Sequence, residues 1–173
     1  MQRSPESILA TNRYFFAVWP PAVTATALAR WASVLEGRRT QADKIHLTLA
    51  FLGVVSPDKA LAAAGRVRGH RHEVPIEKAQ YWKHNRIVWA GPRATPAPLK
   101  SLVEALQLAL FKAEYILERR PFAAHVTLLR SAPPPRELPP LPAVEWPVDE
   151  FTLVRSANSP KGSVYETVER FVL

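Results

Sequence analysis

Two short stretches carry the same pattern, His46-Leu47-Thr48-Leu49 and His125-Val126-Thr127-Leu128. With five His, nine Thr and 19 Leu in 173 residues, independent draws give about 0.03 occurrences of His-x-Thr-Leu. Side chains on a strand alternate between faces, so His46 shares a face with Thr48, and His125 with Thr127, while the intervening apolar residues point oppositely. Each strand thus offers an imidazole and a hydroxyl together. Two imidazoles that titrate near neutrality can serve as general base and general acid in one turnover. Hydrolysis of a strained cyclic phosphate diester needs such a pair: one activates water and the other protonates the leaving oxygen. The two hydroxyls and backbone N–H groups can hydrogen-bond the non-bridging phosphate oxygens, where charge develops. This chemistry calls for no cofactor. A lone His at a strand centre is more often a hydrogen-bonded structural residue. Repetition of the pair at the same offset, in matching contexts, favours catalysis.

The elements that must position these residues follow from hydrophobic period and breakers. Arg13 to Trp19 reads as a strand stopped by Pro20-Pro21, followed by a helix carrying Val23, Ala27, Leu28, Trp31 and Leu35, with Gly37 as its stop. Ile45 to Leu52 is a second strand, and Ser56 is placed to cap a helix through Ala60, Leu61, Ala64 and Val67. Val74 to Trp82 and Arg86 to Ala90 form a hairpin through Lys83, His84 and Asn85. The clearest helix carries Leu99, Leu102, Val103, Leu106 and Leu110 on one stripe, and a strand follows from about Phe122 to Leu129. Residues 133–147 hold seven of the 17 prolines, which predicts a surface connection. Strands over Val148 to Arg155 and Val164 to Val172 close the chain. The order strand, helix, His-x-Thr strand occurs twice, with Trp19 27 positions before His46 and Trp89 36 before His125. That is a degenerate pseudo-repeat and predicts two similar lobes.

The two motifs, 79 positions apart, resemble the signature of the 2H phosphoesterase superfamily, and the chain is similar to its bacterial and archaeal 2′-5′ RNA ligase-like branch. The flanks agree: Tyr14 to Pro20, Ala50-Phe51-Leu52-Gly53, Arg119-Arg120-Pro121-Phe122, Phe151 to Ser156 and Tyr165-Glu166, so the similarity covers roughly residues 13–173. The lead Arg38 to Lys44 is more charged than is typical. The resemblance implies an α+β, bilobal, pseudo-symmetric fold, rich in antiparallel sheet with helices packed outside and a central cleft lined by both His-x-Thr strands. It implies hydrolysis of RNA 2′,3′-cyclic phosphate to a 2′-phosphomonoester, with 2′-5′ RNA ligation reported of relatives. His46 and His125 inherit catalytic roles and Thr48 and Thr127 phosphate binding. Arg130 matches a basic residue that follows the second motif and is carried over as a phosphate or RNA contact. Strict alternation would put Arg130 opposite His125, so the strand must end or bulge near Leu129.

Composition sets the remaining bounds. The length suits one domain over residues 1–173, with residues 1–12 a flexible lead. Hydrophobic residues at 47% and charged residues at 22% argue against wholesale disorder. The absence of cysteine excludes disulfides, thiolate metal sites and Cys nucleophiles. Met1 to Asn12 lacks the apolar run of a signal peptide, and no stretch has membrane-span length, which predicts a cytoplasmic protein without membrane association. The formal net charge of +8 suits an anionic partner. The expected partner is RNA ending in 2′,3′-cyclic phosphate, or a cyclic nucleotide; nothing implies an obligate protein partner, and the chain is read as a monomer. His70 and His72 could share a face if extended, but they fall in a helix-end or turn region among Arg66, Arg68 and Arg71, beside only one carboxylate, Glu73, so no metal site is assigned. Arg38, Arg39, Arg119 and Arg120 could track an RNA backbone, and Tyr14, Phe51, Tyr81 or Trp82 could stack an unpaired base. The rival readings are a 2′-5′ RNA ligase or phosphodiesterase using the same four residues, or a non-catalytic RNA- or nucleotide-binding module.

Overall fold

The aromatic run near the N-terminus forms β1 (Arg13–Val18), with five of six positions buried, in a computed structural model that describes residues 11–173. Most of the lead expected over residues 1–12 lies outside the described residues. The strand is apolar on both faces because both are covered. Tyr14, Phe16 and Val18 enter the main core, while Phe15 and Ala17 pack with Val154, Trp19 and Tyr165 on the other side. Next come α1 (Ala22–Ala32), β2 (Arg38–Arg39), β3 (Leu47–Gly53), α2 (Asp58–Ala64), β4 (His72–Glu73), β5 (Lys78–Trp82) and β6 (Ile87–Gly91). The chain continues through α3 (Ala97–Lys112), β7 (Val126–Arg130), β8 (Pro147–Val148), β9 (Glu150–Ser159) and β10 (Gly162–Val172).

The main sheet runs β10-β9-β1-β3-β7-β6-β5, with β2 added beside β7, and β4 pairs separately with β8. Every recorded pairing is antiparallel. With three α-helices among the described residues, α1 and α3 against the sheet and α2 against α3, the fold is α+β, as the resemblance implied. The stripe on α3 is the expected one: Leu99, Leu102, Leu106 and Leu110 are 0% exposed and Val103 1%. The two halves of the sheet join at β3 and β7 through a single residue pair, Leu47 with Val126.

Several expected boundaries move, for a common reason. Apolar runs report burial, and burial does not require a sheet partner. Val74 and Ile76 are buried, but β5 begins only at Lys78; the Val74 N–H donates to the Trp146 carbonyl at 2.9 Å. Likewise β7 begins at Val126, not near Phe122. Val148 belongs to the short β8 beside His72, and β9 starts at Glu150. Ser56 does not cap α2: Pro57 holds the N-cap position, and the Ser56 hydroxyl meets the Asp58 carboxylate at 3.4 Å. Gly37 lies beyond the end of α1, where φ is +134° and a side chain would meet Ala132 and the Arg130 carbonyl at 3.1 Å. Close approach of β2 to β7, rather than helix termination, requires glycine there. The proline-rich connection is less superficial than its composition suggests. Trp146 within it is fully buried, and the Pro139 and Pro140 carbonyls each accept from Trp31 Nε1 at 3.1 Å.

Gly91 ties the core to the second motif. A Cβ at this position would lie 2.7 Å from the Ala124 carbonyl oxygen, one residue before His125. Gly91→Ala is therefore expected to destabilise the fold by about 1–3 kcal/mol as an overpacked site. It should also lower kcat by displacing the segment that carries His125. A denaturant midpoint and a kcat both at wild-type level would contradict this.

Candidate active site

The Leu47–Val126 pair is the geometric centre of the site. Continuing that antiparallel register one residue either way sets His46 across from Thr127 and Thr48 across from His125. The four residues of the two motifs thus form one cluster with approximate two-fold symmetry. They line a common cavity of about 230 Å³ together with Arg130, Thr40, Gln41, Lys44, Ser163 and Tyr165. Both strands present their intervening residues to the core: Leu47 and Val126 are 0% exposed, Leu49 2% and Leu128 1%.

Arg130 reaches this cavity through a bulge. Val88 pairs with Leu129 but Trp89 pairs with Thr127, so Leu128 and Leu129 together oppose one step of β6. Both leucines are buried, and the broken alternation turns Arg130 to the face of His125 and Thr127. Of the two outcomes the sequence left open near Leu129, a strand end or a bulge, the structure has the bulge.

Each imidazole is oriented the same way. Nδ1 of His46 donates to the Lys44 carbonyl at 2.7 Å, and Nδ1 of His125 to the Ala123 carbonyl at 2.8 Å. A carbonyl only accepts, so the proton sits on Nδ1 in the neutral ring, and Nε2 is left for the cleft. In that tautomer the Thr48 hydroxyl donates to His46 Nε2 at 3.1 Å. The same bond to a carbonyl two residues back recurs at His72, which does not line the cavity, so the contact orients a ring without marking a catalyst.

Aromatic walls complete the positioning. Phe15 stacks on His46 at a centroid distance of 5.0 Å, Trp19 lies at 5.1 Å and Tyr165 meets the ring edge-on at 5.6 Å. Trp19 is itself fixed by donation from Nε1 to the buried Thr152 hydroxyl at 2.9 Å. His125 has Trp82 at 4.8 Å and Trp89 at 6.2 Å, both edge-on. Trp19 and Trp89, the matching positions of the pseudo-repeat, thus stand beside the matching histidines.

Burial pushes His46 below its ordinary pKa of 6.5; its bond to the Lys44 carbonyl opposes the shift, and Arg130 and His125 add to it. Burial also raises Tyr165, with Arg130 opposing. For His46 the unfolded chain takes up the proton first as pH falls. The corresponding stability is present above about pH 6.5 and is lost as pH falls through the folded value. The denaturant midpoint is therefore expected to fall between about pH 7.5 and about pH 5, and to fall less in His46→Gln. An identical pH dependence in the variant would contradict the burial account.

Other sequence candidates are sorted by the same geometry. Phe51, Trp82 and Arg120 line a second cavity of about 400 Å³ that shares Thr48 and His125 with the first. Arg38 and Arg39 lie on β2 beside β7, outside either cavity's lining. Tyr14 is buried in the core, and the Tyr81 hydroxyl donates to the Ala132 carbonyl at 2.8 Å; neither is a free stacking surface. Thr40, Gln41, Lys44 and Ser163 were not singled out from sequence. Only the Ser163, Tyr165 alternation on a terminal strand offered a signal. Among the described residues no group of three or more His, Cys, Asp or Glu is arranged to hold a metal ion, and no helix is long and apolar enough to cross a membrane.

Comparison with known proteins agrees with this geometry. A family model described as LigT like phosphoesterase matches residues 18–89. The RNA 2′,3′-cyclic phosphodiesterase of Escherichia coli (strain K12) is 35% identical, across 94% of this chain and 97% of its own. The Thermus thermophilus protein of the same name is 33% identical, across 93% of this chain and 90% of its own. The crystal structure of Escherichia coli LigT complexed with 3′-AMP superposes with a TM-score of 0.87 at 34% identity, covering 94% of this chain and 98% of that one. With near full-length similarity in sequence and in fold, and both His-x-Thr strands facing one cavity, the chain belongs to the LigT-like phosphoesterase family.

Proposed function

We propose that this protein hydrolyses RNA 2′,3′-cyclic phosphate ends to 2′-phosphomonoesters, with His46 and His125 as the acid–base pair. The observation that carries the proposal is the meeting of the two His-x-Thr strands at the Leu47–Val126 pair, which sets two imidazoles and two hydroxyls around one cavity. The names of the Escherichia coli and Thermus thermophilus relatives support the reaction.

In this reading the cyclic phosphate sits between the motifs, and the Thr48 and Thr127 hydroxyls donate to its non-bridging oxygens. Arg130 and Lys44, both in the lining, draw the anion in. Water attacks phosphorus in line with the P–O3′ bond. One imidazole accepts the water proton at Nε2 while the other delivers a proton from Nε2 to the departing O3′. A new P–O bond forms, the P–O3′ bond breaks, and the products are a free 3′-hydroxyl and a 2′-phosphate. The Nδ1 bonds to backbone carbonyls hold both rings in place throughout. The pair ends with its protons exchanged, and solvent resets it.

The test is incubation of an oligoribonucleotide ending in 2′,3′-cyclic phosphate with the protein in excess EDTA, the product being read by phosphorus NMR. Conversion to a 2′-phosphate is the expected result. An unchanged cyclic end, or a 3′-phosphate product, would overturn the proposal.

A further inference from the structure

The cavity beside the two-histidine cleft differs from it in chemistry. The cleft is polar, with Thr, Gln, Lys and Arg around the histidines. The neighbouring groove, at about 400 Å³, has Phe51, Trp82, Phe122 and Leu117 in its walls, and His84, Asn85, Gln107, Glu118 and Arg120 at polar positions. Phe51 is 53% exposed, unusual for a large ring on a central strand. The two cavities share Thr48 and His125, so a group held between the histidines continues directly into the groove. On its other side the cleft is lined by Ser163 and Tyr165 of β10.

This division matches the two ends of a ribonucleotide, a charged phosphate in the cleft and an apolar-faced nucleoside in the groove. A nucleoside at the end of an RNA also carries a 5′-phosphate, which joins it to the rest of the chain. We infer that Arg120 takes this 5′-phosphate, so that the groove distinguishes an RNA end from a free cyclic mononucleotide. The inference rests on the proposed reaction. Arg120 comes from the segment between α3 and β7, and its Nε meets Glu118 at 3.2 Å, with the two side chains 80% and 68% exposed. An exposed pair of this kind contributes little by itself. The guanidinium fork can therefore turn to a phosphate, whose geometry it matches in bidentate fashion. Glu118, in the same lining, holds the side chain near the groove until the anion arrives.

The discriminating experiment compares kcat/KM for three substrates: a nucleoside 2′,3′-cyclic phosphate, the same compound bearing a 5′-phosphate, and a dinucleotide ending in the cyclic phosphate. Wild type is expected to prefer the second and third over the first by about tenfold or more, a ratio typical of one lost charge-assisted contact. Arg120→Ala should erase that preference by lowering kcat/KM on the second and third substrates far more than on the first, and Arg120→Lys should restore part of it. Equal rates on all three substrates in wild type, or equal losses on all three in Arg120→Ala, would overturn the inference while leaving the proposed reaction standing. No turnover of any of them would overturn both.

Discussion

Replacement of His46 or of His125 by Ala is expected to lower kcat on a cyclic-phosphate RNA end by about 10²–10⁴-fold, the usual worth of a positioned acid or base. Both rings are oriented by the same Nδ1 contact to a backbone carbonyl, and the proposed reaction uses both in one displacement. The double variant should therefore be scarcely worse than either single one, because groups that act as a unit do not contribute additively. Steady-state kinetics on the three variants, with denaturant midpoints as the control for folding, make the check. Losses smaller than about tenfold in either single variant would remove that histidine from the proposed roles. Losses that multiply in the double variant would mean that the two act independently.

Thr48→Val and Thr127→Val, which keep side-chain volume and delete the hydroxyl, are each expected to lower kcat by about 10²–10³-fold, as loss of a donor to a developing oxyanion does. The activity should be reduced but measurable, since both imidazoles remain. Thr48 carries a second consequence. Without substrate its one hydroxyl proton is donated to His46 Nε2 in the neutral tautomer and turns to the phosphate only on binding, so Thr48→Val should shift the acid limb of the kcat/KM profile, whereas Thr127→Val should not. A rise in KM with kcat unchanged would show that these hydroxyls bind ground and transition states alike, contrary to the role proposed for them.

The four central positions were legible in the sequence because a strand's period of two turns a four-letter motif into a statement about one face. The pairing of Leu47 with Val126 then makes neighbours of residues far apart in the chain. Arg130 was legible only conditionally, since its place depended on a bulge that no local signal specifies. Two consecutive leucines, Leu128 and Leu129, are compatible with a plain strand end as much as with two buried residues on one face. The strand starts at Val74 and Phe122 differ from the structure because the buried Val74 satisfies its N–H through the Trp146 carbonyl, and the half-buried Phe122 packs on the core outside any ladder. Thr40, Gln41, Lys44 and Ser163 escaped notice because polar residues in connections look alike until the fold brings them to a site. The division of the binding surface into a polar cleft and an aromatic groove depends on where α3, β7 and the β5–β6 turn meet, which pattern in one dimension does not encode.

The measurement that bears most directly on the central claim, a paired acid and base in one cleft, is the pH dependence of kcat/KM for a cyclic-phosphate RNA end at constant ionic strength. A bell with limbs on both sides of its maximum is predicted, its two apparent values belonging to the coupled pair rather than to either ring. Because burial holds His46 below its ordinary pKa of 6.5, the acid limb should fall at a pH lower than an unperturbed imidazole would give. A rate that stays flat from about pH 5 to about pH 9 would contradict the account.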